Sequence, residues 1–113
     1  MKKVTGRPCF QGDLCIRRVS EIPPTARKVA GTNGYHILAH SETGHHHVVL
    51  ERAAQMFIDE TNAFIAYLDV AEPTTLDHLR SYGTHEQWVL DPGPHKINRQ
   101  REYTPEGWRR AAD

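Results

Sequence analysis

Gln55-Met56-Phe57-Ile58-Asp59-Glu60-Thr61-Asn62-Ala63-Phe64-Ile65-Ala66-Tyr67-Leu68-Asp69-Val70 is the stretch that decides the fold class. Two runs rich in aliphatic and aromatic residues, Gln55–Ile58 and Ala63–Val70, flank a polar break at Asp59–Asn62. Asp and Asn bond locally to backbone amides and tolerate tight turns, so the pattern predicts a β-hairpin. Working towards the N-terminus, His45–Glu51 is rich in β-branched residues and reads as a strand. Thr32-Asn33-Gly34 is a turn signal between two short β-like runs within Lys28–Ala39. Phe10–Val19 reads as a first strand with Leu14, Ile16 and Arg18 on one face, and Pro23-Pro24 breaks the chain after it.

Towards the C-terminus, Glu86–Leu90 and His95–Tyr103 flank Asp91-Pro92-Gly93-Pro94, and Pro followed by Gly is the type II turn pair. A hairpin centred there sets Leu90 opposite His95 and Trp88 opposite Ile97. His95 then shares the core face with Trp88, Leu90 and Ile97, where an imidazole has to be hydrogen-bonded or ligated. Thr104-Pro105-Glu106 supplies an N-cap, a first-turn proline and an acid for a short C-terminal helix, although Gly107 weakens it. No long segment has apolar residues at helical spacing. The expectation is an all-β fold, a small barrel or sandwich with cupin-like architecture as one option, plus that short helix. Residues 1–8 read as a flexible arm and 9–113 as a single β domain.

The chain has 113 residues, enough to bury a core without staples. Its two cysteines, Cys9 and Cys15, are too few for a disulfide scaffold and read as reduced thiols. No apolar run approaches the roughly 20 residues needed to span a bilayer, so no membrane association is expected. Met1–Asp13 has two lysines but no following apolar stretch, and a cytoplasmic location is the default. The net charge is zero but unevenly spread: residues 1–30 hold seven Lys/Arg against two acids, and residues 31–95 hold two against nine. All eight histidines (36, 40, 45, 46, 47, 78, 85 and 95) fall in that acidic middle. Neutral imidazole is a common metal ligand and carboxylates are hard oxygen donors, so the mixture suits a divalent cation.

Strand parity sharpens this reading. If Gly44–Glu51 is one unbroken strand, His45, His47, Val49 and Glu51 point one way and His46 the other. Imidazoles about 7 Å apart along a strand can reach one ion. One strand cannot surround an ion, so further ligands have to come from segment 78–95, which holds His78, His85 and His95. His36 and His40 read as strand or surface residues.

His45-His46-His47-Val48-Val49-Leu50-Glu51 resembles the first motif of the cupin family, His-x-His followed by Glu. Pro92-Gly93-Pro94-His95-Lys96-Ile97-Asn98 is a partial match to the second cupin motif, in which Pro and Gly are separated rather than adjacent. That resemblance, over roughly residues 31–98, implies one divalent ion held in a small β-barrel by His45, His47, Glu51 and His95. A second likeness covers most of the chain. Gln11-Gly12-Asp13, Thr43-Gly44-His45-His46-His47, His85 and Arg99-Gln100-Arg101-Glu102-Tyr103-Thr104-Pro105-Glu106 resemble a family of small uncharacterised bacterial and phage proteins. That family keeps a histidine at the place of His85 and an aromatic at that of His95, which implies His45, His47 and His85 as ligands, with His78 as a further candidate. It carries no activity over.

The metal expected is Zn, Fe, Ni or Mn, with the choice left open. Three protein ligands and an open position would let such an ion activate water or a small-molecule ligand in a barrel mouth. The serines lack a nucleophile elbow and Gly31-Thr32-Asn33-Gly34 lacks the Lys-Ser/Thr of a phosphate loop, so no reaction is assigned. The alternative is a non-enzymatic phage or mobile-element module that contacts protein or nucleic acid through its basic ends. Arg99–Tyr103 and Trp108-Arg109-Arg110 mix cations with aromatics as such surfaces do, but packing and ion pairing explain them as well, with Trp108 plugging the domain. A homodimer is compatible with the sequence.

Overall fold

A computed structural model describes residues 2–11, 14–39, 46–78, 87–99, 101–104 and 107–110; of His78 and of the last two segments it describes the backbone alone. Among the described residues the chain is almost entirely β. The strands are β1 (Lys2–Lys3), β2 (Cys9–Gln11), β3 (Leu14–Arg18), β4 (Arg27–Val29), β5 (Tyr35–Ala39), β6 (His47–Leu50), β7 (Ala54–Ile58), β8 (Ile65–Val70), β9 (Thr74–His78), β10 (Trp88–Leu90), β11 (Gly93–Arg99), β12 (Arg101–Thr104) and β13 (Gly107–Arg110). One 3-10 turn, Glu51–Ala53, joins β6 to β7. The order β1-β10-β9-β6-β5 forms one sheet and β2-β3-β11-β8-β7-β4 the other, while β12 and β13 make a separate hairpin. The two sheets form a sandwich and do not close into a barrel.

The core lies between the inner faces of the two sheets. Leu38, Val49, Leu76 and Leu90 come from the first sheet; Leu14, Ile16, Met56, Ala66, Leu68, Val70 and Ile97 come from the second. The expected hairpin at Asp59–Asn62 forms: β7 and β8 pair from Ala54↔Val70 to Ile58↔Ala66. Asp59 Oδ1 accepts from the Thr61 amide at 2.8 Å and Asn62 Oδ1 from the Phe64 amide at 3.0 Å, the local bonding that made the break legible. Asn33 and Gly34 both take positive φ, 53° and 84°, so this turn is of the primed class. It links strands of different sheets, since β4 pairs with β7 and β5 with β6.

Four expectations are corrected. Phe10–Val19 holds parts of two strands, β2 and β3, paired antiparallel from Cys9↔Ile16 to Gln11↔Leu14. The break at Asp91-Pro92-Gly93 is a crossover, not a hairpin: β10 pairs with β9 and β1, whereas β11 pairs with β3 and β8. Gly93 adopts φ 129°, and a side chain there would meet Arg18 Nη2 at 2.6 Å. Arg18 in turn donates to the Pro92 carbonyl at 3.0 Å, clamping the crossover. The C-terminal helix is a β-hairpin, with Tyr103↔Trp108 in register. Ten residues are too few for a helix without tertiary packing, and Gly107 disfavours one further. The side chain of Trp108, expected as a plug, lies outside the described residues. Lastly, the expected loose arm is docked over Lys2–Val4. Lys2 and Lys3 pair in parallel with Trp88 and Val89, and Val4 is fully buried in the core.

The docking of Val4 is testable. Val4→Ala should cost about 2 kcal/mol in urea denaturation, as for a fully buried aliphatic side chain. A loose arm would give less than about 0.5 kcal/mol.

Candidate functional site

β6 enters the first sheet with His47 and Val49 on its inner face. Val49 belongs to the core cluster, while Val48 is equally buried on the opposite face. His47 is 6 % exposed and has to bond. Its Nδ1 lies 2.7 Å from Gln11 Oε1, on β2 of the opposite sheet. Gln11 is itself buried, and its Nε2 donates to the Leu76 carbonyl on β9 at 3.2 Å. That second bond fixes the amide: the nitrogen faces Leu76 and the oxygen faces His47. An amide oxygen only accepts, so His47 donates from Nδ1 and a neutral ring carries its lone pair on Nε2. A histidine set this way presents Nε2 to a hydrogen-bond donor or a metal ion.

The neighbours on the backbone are histidine positions. Register sets His78 of β9 directly across from His47. His45 precedes His47 by two residues, and His85 falls in segment 79–86 between β9 and β10; both lie outside the described residues, as does His40. His46 is half-buried, beside the inward His47. Among the described residues, no three His, Cys, Asp or Glu side chains converge where they could hold a metal ion.

The two ligands implied by the cupin resemblance alone lie elsewhere. β6 ends at Leu50, so the parity that linked Glu51 to His47 is interrupted by the 3-10 turn. The Glu51 carboxylate accepts the Gly31 amide at 2.6 Å. It lies beside a recess of about 320 Å³ that also involves His36 and Lys28. His36 is buried and donates from Nε2 to the Ala54 carbonyl at 2.9 Å, a structural bond of the kind expected of a strand histidine.

His95 faces the core as expected, but in the second sheet, between Arg18 and Leu68. It is fully buried, and its Nδ1 donates to the Gly93 carbonyl at 3.0 Å. Its Nε2 is buried and, among the described residues, has no hydrogen-bond partner. Burial pushes its pKa below the ordinary value; the Gly93 bond offsets part of this and nearby Arg18 adds to it. Cys9 and Cys15 are free thiols as expected, both buried. Burial, first, and the neighbouring Cys9, second, raise the Cys15 pKa.

Gln11 is the residue whose role the sequence concealed. It stands in the Gln11-Gly12-Asp13 motif, and its signal was positional: it alternates with Cys9 onto the core face of β2, where an amide needs partners.

The state of His95 yields a pH prediction. Below about pH 6.5 the unfolded chain binds a proton at His95 that the folded protein refuses. Folding stability therefore declines as pH falls, until the depressed folded pKa is passed. Thermal melts at about pH 7.5 and about pH 5.5 should show this decline, and His95→Leu should reduce it.

Comparisons with curated proteins and with solved structures give no match. Residues 10–100 match the family described as a domain of unknown function (DUF8820), and the chain belongs to that family.

Proposed function

We propose that this β-sandwich protein binds one divalent metal ion at the end where β2, β6 and β9 meet, through His47 Nε2. The observation that carries the reading is the hydrogen bond from His47 Nδ1 to Gln11 Oε1. Ligating histidines generally donate their second ring N–H to a carbonyl or carboxylate, which fixes the tautomer and aims the ring. The ligand set proposed is His47 with His45, His78 and His85. His78 is supported by its register opposite His47. His45 and His85 are supported by the family likeness and by sequence, since one precedes β6 and the other follows β9. Glu51 is left out because its carboxylate accepts the Gly31 amide, and His95 because it stands on β11 of the other sheet, between Arg18 and Leu68, with no group of His, Cys, Asp or Glu side chains around it among the described residues. Imidazole donors suit Zn, Fe or Ni, and an ion left with an open position would supply Lewis acidity to water or an oxygen-bearing small molecule.

Calorimetric titration with zinc, on protein purified without a nickel column, tests the reading. His47→Ala should abolish tight binding, and His46→Ala should leave it nearly intact. Gln11→Leu should weaken it about 10- to 100-fold, as for loss of a ring-orienting partner. Equal affinities for His46→Ala and His47→Ala would mean a flexible surface chelate and would refute the proposal.

A further inference from the structure

The second sheet turns its other face away from the core, with Phe10 exposed but Cys15 and Tyr67 buried, and the strand register arranges that face in rows. One row, across β2, β3, β11 and β8, is Phe10–Cys15–Asn98–Ile65. The next, across β3, β11, β8, β7 and β4, is Arg17–Lys96–Tyr67–Phe57–Lys28. Phe10 is 63 % exposed, the one exposed large apolar side chain among the described residues. Its backbone is held by the Trp88 indole, which donates to the Phe10 carbonyl at 3.2 Å, so the ring is displayed from a fixed strand. Beside it opens a groove of about 480 Å³ lined by Phe10, Phe64, Ile65, Asn62, Asn98 and Arg99.

A single exposed phenylalanine is ordinary on a protein surface. This one adjoins a groove that combines rings with side-chain amides, and a row holding three cations runs alongside. Aromatic faces stack on bases, amides bond to base edges, and Lys and Arg contact phosphates. The fold also unites what is distant in sequence. β3, from the basic first 30 residues, pairs directly with β11, where the basic tail begins. The hairpin β12–β13, with its Arg, Tyr and Trp sequence, starts two positions beyond Arg99 at the groove's edge. Asp69 lies on β8, and Asp59, in the turn after β7, is held by Thr61 and lies near enough to Lys96 to feel its charge.

We infer that the outer face of the six-stranded sheet, centred on Phe10 and the Arg17–Lys96 pair, binds single-stranded nucleic acid. The strand lies across β2, β3 and β11, with a base stacked on Phe10 in the groove and phosphates along Arg17 and Lys96. This surface and the proposed metal site do not share a residue, so the two readings stand or fall separately.

Fluorescence anisotropy with labelled single-stranded DNA and RNA of about ten nucleotides tests the inference, with a duplex and a poly-glutamate peptide as competitors. Single strands should bind, and the duplex and the peptide should compete at least about tenfold more weakly than unlabelled single strand. Phe10→Ala should lower affinity about tenfold and Phe10→Trp should restore it. The pair Arg17→Glu and Lys96→Glu should lower affinity further and flatten its dependence on salt. Phe10 is mostly exposed, so melting of Phe10→Ala should match the parent and exclude unfolding as the cause. Absence of binding to either strand type, unchanged affinity in Phe10→Ala, or equal competition by poly-glutamate would overturn the inference.

Discussion

The structure depends on one constraint: two sheets have to bury their apolar inner faces on each other. Leu68 and Ile97 lie at the middle of the larger sheet, and Leu38, Val49, Leu76 and Leu90 cover the inner face from the other side. The chain repeatedly changes sheet to achieve this. At Asp91–Gly93 it leaves β10 in one sheet and begins β11 in the other, and Arg18 holds that passage by donating to the Asp91 and Pro92 carbonyls. Val4, immediately after β1, joins the same core, which is why so short a parallel pairing as β1 with β10 is retained.

Within this apolar interior the polar side chains are handled in contrasting ways. Gln11 reaches across from one sheet to bond His47 and the Leu76 carbonyl of the other, converting a buried amide into a tie between sheets. Such a network is costly if half made and specific if complete. His95 is half made: Gly93 takes one ring proton and, among the described residues, the other nitrogen has no hydrogen-bond partner. The first arrangement aims a lone pair, and the second stores a pH sensitivity. They came from the same cluster of histidines, and only their partners separate them.

Pattern and local bonding made the fold class legible. The Asp59–Asn62 hairpin and the Asn33-Gly34 turn were readable because their side chains and φ values act within a few residues. The inward face of His95 was readable for the same reason, since alternation with Ile97 is local. Its assignment to a hairpin with β10 was not, because a Pro-Gly bend serves a crossover as well as a hairpin. The helix expected from Thr104 failed because capping residues cannot outweigh a segment too short to be helical alone.

The sequence by itself determined the β content, the turns at Asp59–Asn62 and Asn33-Gly34, and the alternation that turns His47 and His95 inward. Those properties arise from backbone preferences and period-two burial, which are local. Tertiary structure alone decided that Gln11 is the partner of His47, that His78 stands across from it, and that Glu51 serves Gly31. It alone set the basic N-terminal strand β3 beside β11, forming a face with Phe10 and the Arg17–Lys96 row. Each of these pairings joins residues from separate parts of the chain, and it is the packing of the two sheets, not any local preference, that brings them together.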